Sequence, residues 1–138
     1  MLDPYSFIIG KHALLKIDEE FVPQILLIDG LPSFFMHETI WVPTLKLLHQ
    51  NNFLRKVTVD MGAVKFMASG ADVMRPGILS IDDGIDKNDY VLVVDEKHEK
   101  GLCVGKALFT GSEIKKATSG KVIKNIHYVG DKIWGYTI

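Results

Sequence analysis

The sequence predicts an α+β fold: a small α/β unit over residues 1–56, then a small mixed barrel with short helices over residues 57–138. Three observations carry this. Short β-like runs recur along the whole chain, glycine-punctuated turns separate them, and two short helical patterns interrupt the second part. The composition is globular, with 47% apolar and 24% charged residues in 138. A chain of this size buries roughly two-thirds of its unfolded surface, enough for one core or for two small ones sharing an interface.

In the first part, Tyr5 to Ile9, Gln24 to Ile28 and Ser33 to Met36 read as strands, the second stopped by the turn pair Asp29-Gly30. Pro43 suits the first position of a helix running to Gln50, with Val42, Leu45 and Leu48 repeating at helical spacing and Asn51-Asn52 ending it. The boundary near Lys56 follows from the change in composition. After it, Val57-Thr58-Val59 is a strand and Asp60 caps a helix from Met61 to Ser69. That helix is expected to bury Ala63, Phe66 and Met67, to show Lys65 and Ser69 outward, and to stop at a left-handed Gly70. Ala71 to Met74 returns as a strand, and Arg75-Pro76-Gly77-Ile78 fits a type II turn.

Asp89 to Asp95 is the clearest strand, its Val-Leu-Val-Val centre expected to be buried on both faces. Leu102 to Phe109 answers it. Thr110-Gly111-Ser112-Glu113 offers a capping box for a short helix through Ala117. Val122-Ile123, Ile126 to Val129 and Ile133-Trp134 supply the last β segments.

Several functions are disfavoured. Sixteen basic and seventeen acidic residues nearly cancel, so the chain does not coat nucleic acid by bulk charge. The distribution is uneven: from Val104 onward six lysines face only Glu113 and Asp131. The five histidines show no metal-ligand spacing, and Asp82 to Asp86 lacks the ligand order of a calcium loop. The lone Cys103 sits in a predicted strand as a small hydrophobe, and no phosphate loop or serine elbow occurs. No enzyme activity, cofactor or metal is expected. Without an apolar run near the ~20 residues of a membrane span, and without signal-peptide features at Met1-Leu2-Asp3-Pro4, the chain is expected to be cytoplasmic.

Val59 to Phe66 (Val-Asp-Met-Gly-Ala-Val-Lys-Phe) and Ser69 to Ile78 (Ser-Gly-Ala-Asp-Val-Met-Arg-Pro-Gly-Ile) resemble the opening signature of a PUA domain, the RNA-binding module of pseudouridine synthases and archaeosine transglycosylases. Cys103 to Ala107 resembles its glycine-bearing strand and Lys121 to Trp134 its closing segment. Pro43 to His49 and Lys124 to Tyr128 extend the resemblance to the translation-factor family of malignant T-cell-amplified sequence protein and ligatin, whose members carry a pre-PUA domain ahead of the PUA domain. The resemblance implies a pre-PUA domain over 1–56 and a PUA β-pseudobarrel over 57–138.

It further implies an RNA groove, with Lys65, Gly70, Ala71, Arg75, Pro76 and Gly77 on one side and Gly105, Lys106 and Ala107 on the other. The residue chemistry agrees: small residues admit close backbone approach, and Lys65, Arg75 and Lys106 supply charge. Chain geometry requires Gly70 and Gly77 equally without RNA, and Phe66 and Met74 read as core. Arg75→Ala or Lys106→Ala is expected to weaken RNA binding by about 1–2 kcal/mol with the fold intact. The implied role is a non-enzymatic translation-associated factor that contacts structured rRNA or tRNA at the small ribosomal subunit, with a protein partner supplied in trans through the pre-PUA domain. Two alternatives stay open: an accessory subunit for tRNA or rRNA modification, and a protein–protein adaptor whose acidic stretch Asp82 to Glu99 would repel phosphate.

Overall fold

The computed structural model describes residues 10 and 12–137; the strand expected over Tyr5 to Ile9 lies outside them. Four antiparallel strands come first, β1 (Leu15–Asp18), β2 (Ile25–Ile28), β3 (Leu31–His37) and β4 (Ile40–Pro43), in that order across one sheet. Asp29 at φ 50° and Gly30 at φ 82° turn β2 into β3, the left-handed pair that a two-residue hairpin demands. Pro43 ends β4 and does not open the helix. Thr44 caps α1 (Leu45–Gln50), its hydroxyl accepting the Leu47 N–H at 3.2 Å, and Leu45 and Leu48 turn inward.

A six-stranded sheet follows, built from β5 (Lys56–Val59), β6 (Val73–Met74), β7 (Ile78–Ile81), β8 (Tyr90–Asp95), β9 (Gly101–Ala107) and β10 (Lys121–Tyr128). Its spatial order is β6-β10-β9-β8-β5-β7, with β5 and β8 parallel and the other pairs antiparallel. Two short helices, α2 (Met61–Met67) and α3 (Gly111–Lys116), complete this α+β pseudobarrel-type fold. The expected capping box of α3 is present: Glu113 N–H donates to Thr110 Oγ1 at 3.1 Å, and Thr110 N–H to Glu113 Oε1 at 3.0 Å.

Three local expectations change. Arg75–Gly77 is a 3-10 turn, with no left-handed φ at Gly77, because the chain passes directly into β7, a strand the sequence pattern did not separate. The closing β runs merge into one strand whose register slips twice, near Val122 and Ile126. Ile133 and Trp134 lie in a turn. No helix among the described residues is long and apolar enough to cross a membrane.

The two sheets share a core. Ile25, Leu27, Phe35, Val42, Leu45 and Leu48 from the first part pack with Leu92, Val94, Val104, Ile133 and Tyr136 from the second. A separate barrel core gathers Val57, Val59, Val91, Val93, Cys103, Ile114 and Ile123. Burial pushes the Cys103 thiol up to about 12, with the Asp72 charge adding to it, so the sulfur stays protonated.

One polar joint crosses the seam. His127 is fully buried; its Nε2 accepts the Leu45 N–H at 3.1 Å while Nδ1 meets the Asp131 carboxylate at 2.9 Å. Because Nε2 accepts, the ring is neutral and its one proton sits on Nδ1, donated to Asp131. Burial pushes the Asp131 carboxyl up, but hydrogen bonds from His127 and from the Trp134 and Tyr128 amides outweigh it and hold its pKa below 3.8.

Two outcomes follow from this packing. His127→Ala strands a helix N–H and a largely buried carboxylate, and urea denaturation should show a loss of about 2–3 kcal/mol. Since the Asp131 pKa is depressed on folding, its stabilisation is complete above the ordinary value of 3.8 and disappears as pH falls through the lower folded value. Asp131→Asn should flatten that acid-side slope in denaturation curves.

Candidate nucleic-acid interface

The Asp60 carboxylate caps α2 by accepting the Ala63 N–H at 3.0 Å. After α2 the chain must reverse to reach β6, and Gly70 at φ 87° performs the reversal. A side chain there would be strained by that φ and would also press on the Tyr128 ring, 2.9 Å from an added Cβ. The loop then hangs on β10. Asn125 Nδ2 donates to Ala71 O at 3.1 Å, and Asn125 N–H donates to Asp72 Oδ1 at 2.8 Å.

Between α2, this loop and the Arg75–Gly77 turn lies a groove of about 420 Å³. Its walls are mostly apolar: Ala63, Phe66, Met67, Ala71, Val73, Met74, Pro76 and Gly77, with Asp60 and Asp72 at the edges. Both carboxylates are engaged, Asp60 on the helix end and Asp72 on Asn125 and on Lys121 Nζ at 3.4 Å. No residue between Asp82 and Glu99 lines it. Phe66 and Met74, expected in the core, are 53% and 51% exposed. Met67 is the α2 residue that enters the core. Lys65 Nζ lies 5.3 Å from the ring centroid of the lining residue Phe66, a cation over an aromatic face. Lys121 is the partner of Met74 in the β6–β10 register, and its Nζ pairs with the lining residue Asp72.

Of the expected residues, Ala71, Pro76 and Gly77 line the groove, Lys65 and Gly70 adjoin its lining residues Phe66 and Ala71 in sequence, and the structure takes the other four elsewhere. Arg75 turns away from the groove. Its Nε donates to Ile114 O at 2.6 Å, Nη1 to Ile78 O at 3.2 Å and Nη2 to Lys115 O at 3.3 Å, which secures the end of α3. Gly105 and Ala107 are buried inside the sheet; a methyl on Gly105 would overlap Ile123 Cγ2. Those small residues serve strand packing, not a groove wall. Lys106 reaches Glu38 Oε2 at 3.4 Å on the β3–β4 hairpin. Phe66 and Met74 are the groove-lining residues that sequence reasoning missed, along with Lys121, which pairs with the lining residue Asp72. Among the described residues, no three His, Cys, Asp or Glu side chains gather as metal ligands.

The chain and its fold resemble known proteins. The PUA domain family model matches residues 55–129. An uncharacterized protein of Methanocaldococcus jannaschii is 49% identical over 88% of this chain and 75% of its own length. Translation machinery-associated protein 20 of Saccharomyces cerevisiae is 33% identical over 91% of this chain and 72% of its own. Among solved structures, a PUA domain protein of Aeropyrum pernix, crystallised with tartrate, superposes with a TM-score of 0.85 at 25% identity, covering 96% of this chain and 80% of that one. An H/ACA ribonucleoprotein bound to a substrate RNA matches with a TM-score of 0.57 at 26% identity, covering 72% of this chain and 31% of that one.

The position of Arg75 reverses the sequence-based expectation for its removal. Arg75→Ala should lower stability by about 1–3 kcal/mol in urea denaturation, because three carbonyl contacts vanish together. Arg75→Lys should not restore it, since an ammonium cannot reproduce the planar fork.

Proposed function

The chain belongs to the PUA-domain family, within the group that holds the translation machinery-associated and malignant T-cell-amplified sequence proteins, and from this premise we propose that it is a non-enzymatic RNA-binding factor of the cytoplasmic translation machinery. The RNA is a structured rRNA or tRNA met at the small ribosomal subunit. The observation that carries this reading is the pair of exposed apolar side chains, Phe66 and Met74, lining a groove next to which Lys65 lies over the Phe66 ring and Lys121 pairs with Asp72.

An unpaired base fits such a place better than a duplex does. A ring laid on Phe66 gains contact area in any sequence context, and the small residues Ala71 and Gly77 let it approach the main chain. Lys65 and Lys121 take the flanking phosphates, the latter by leaving its exposed pairing with Asp72. Arg75 acts by positioning α3. In the same reading, residues 1–56 form the pre-PUA unit that meets a protein partner in trans, and residues 57–138 form the RNA-binding unit.

A second reading, an accessory for RNA modification, is favoured by the likeness to the H/ACA ribonucleoprotein. Sedimentation of the tagged chain with separated ribosomal subunits and with free tRNA distinguishes the two. Migration with the small subunit supports the first and binding to tRNA alone the second; binding to neither leaves the adaptor role.

For the groove itself, Phe66→Ala should weaken binding to tRNA or small-subunit rRNA by about 1–3 kcal/mol, the range for one lost base–aromatic stack. Because Phe66 is half exposed, thermal denaturation should change little. Unchanged affinity in Phe66→Ala and Met74→Ala together would rule the groove out.

A further inference from the structure

A second recess lies beside the groove, between the β3–β4 hairpin and β10, and encloses about 590 Å³. His37 and Glu38 line one wall, and Lys124, Asn125, Asp131 and Lys132 the other, the Asp131 carboxylate being already held by His127 and by the Tyr128 and Trp134 amides. Two lysines are set in an unfavourable place. Lys106 on β9 and Lys124 on β10 are direct antiparallel partners, and like charges opposite one another destabilise a sheet. Lys106 does not itself line the recess; it is only 18% exposed at its side chain and, among the described residues, pairs with one acid, the lining residue Glu38 on a hairpin turn at φ 56°. No ion pair ties Lys124 to an acid among the described residues. His37 Nε2 is buried without a hydrogen bond, with Glu38 Oε1 at 3.9 Å. Burial holds the His37 imidazole below its usual range, with Lys106 and Lys124 acting in the same sense against Glu38, so both ammonium groups lie close to a neutral ring.

We propose that this recess is a second nucleic-acid contact, in which one phosphodiester of the bound RNA bridges Lys106 and Lys124, accepts a hydrogen bond from His37, and displaces Glu38 from Lys106. A strand of RNA is the occupant that continuity favours. Asn125 lines the recess while its side chain holds Ala71 of the groove, and Tyr128 lines the recess while its ring backs Gly70. The backbone that leaves the groove over Gly70 thus meets the lysine pair next. In the free protein, Glu38 occupies the position the phosphate takes and keeps two facing ammonium groups tolerable.

This inference rests on the RNA-binding reading, and the experiment separates their failures. The full chain is titrated by fluorescence anisotropy with labelled bulk tRNA, with labelled small-subunit rRNA and with labelled poly-glutamate, over a salt series. Lys106→Gln and Lys124→Gln should each reduce the log–log salt slope for RNA by about 1, and the double variant should bind about tenfold more weakly at low salt. Glu38→Gln should tighten RNA binding about threefold at low salt, the gain expected when one competing carboxylate leaves. Asp83→Asn, which removes the same charge beside Lys115, should change nothing. If the lysine variants keep the parent's slope while Phe66→Ala loses affinity, the recess proposal is overturned and the groove stands. Lysine-dependent binding of poly-glutamate but not of RNA would mark an acidic protein partner and also overturn it. If the parent binds neither RNA, the RNA-binding reading fails and takes the recess with it.

Discussion

A neutral imidazole buried between two sheets is the constraint from which the rest of this structure is organised. His127 belongs to β10, yet its Nε2 is committed to a helix N–H in the first part of the chain and its Nδ1 to Asp131 beyond the strand. With that ring immovable, the phase of β10 is set, and the slips in its register aim neighbouring side chains at separate tasks. Ile123 fills the space that Gly105 leaves, Asn125 suspends the loop carrying Ala71 and Asp72, and Tyr128 closes against Gly70. Lys121 and Lys124 are delivered to the groove and to the recess respectively. A rotation of this strand by one residue would exchange the buried and exposed members of the set.

The groove differs in kind from a basic trough. Its carboxylates are already satisfied by the helix end, by Asn125 and by Lys121, and its walls are carbon. Contact with a base there draws on dispersion and desolvation, with phosphate charge adding at the margins. That division suits a chain whose charges nearly cancel. It also explains how an acidic stretch is tolerated: Asp82 accepts the Lys56 N–H and Asp83 pairs with Lys115, away from the groove.

Local physical chemistry made much of the fold legible. The Asp29-Gly30 hairpin, the Asp60 and Thr110 caps, the Gly70 reversal and the buried Val91 to Val94 strand all depend on residues within a few positions of one another. The candidate site was legible only along its contiguous side. Phe66 carries the same apolar signal whether it enters a core or overhangs a groove, and helical spacing cannot separate Phe66 from its neighbour Met67. Lys121 had no local mark apart from a lysine-rich surroundings, because its place beside the groove comes from pairing with β6. Gly105 and Ala107 suggested close approach correctly, but the neighbour approached is Ile123 across the sheet in the case of Gly105.

By itself, the order of residues determined the turns, the caps, the short strands and the family likeness, since each needs only backbone dihedrals and contacts close along the chain. The tertiary structure alone decided what each cation meets. Arg75 finds its carbonyl partners near residue 114, Lys106 its acid on the opposite hairpin and Lys121 its acid at Asp72, while Lys65 lies over the Phe66 ring. The reason is that a charged side chain several bonds long takes whichever distant partner folding sets within hydrogen-bond reach, and that distance exists only once the sheets have closed on their shared core.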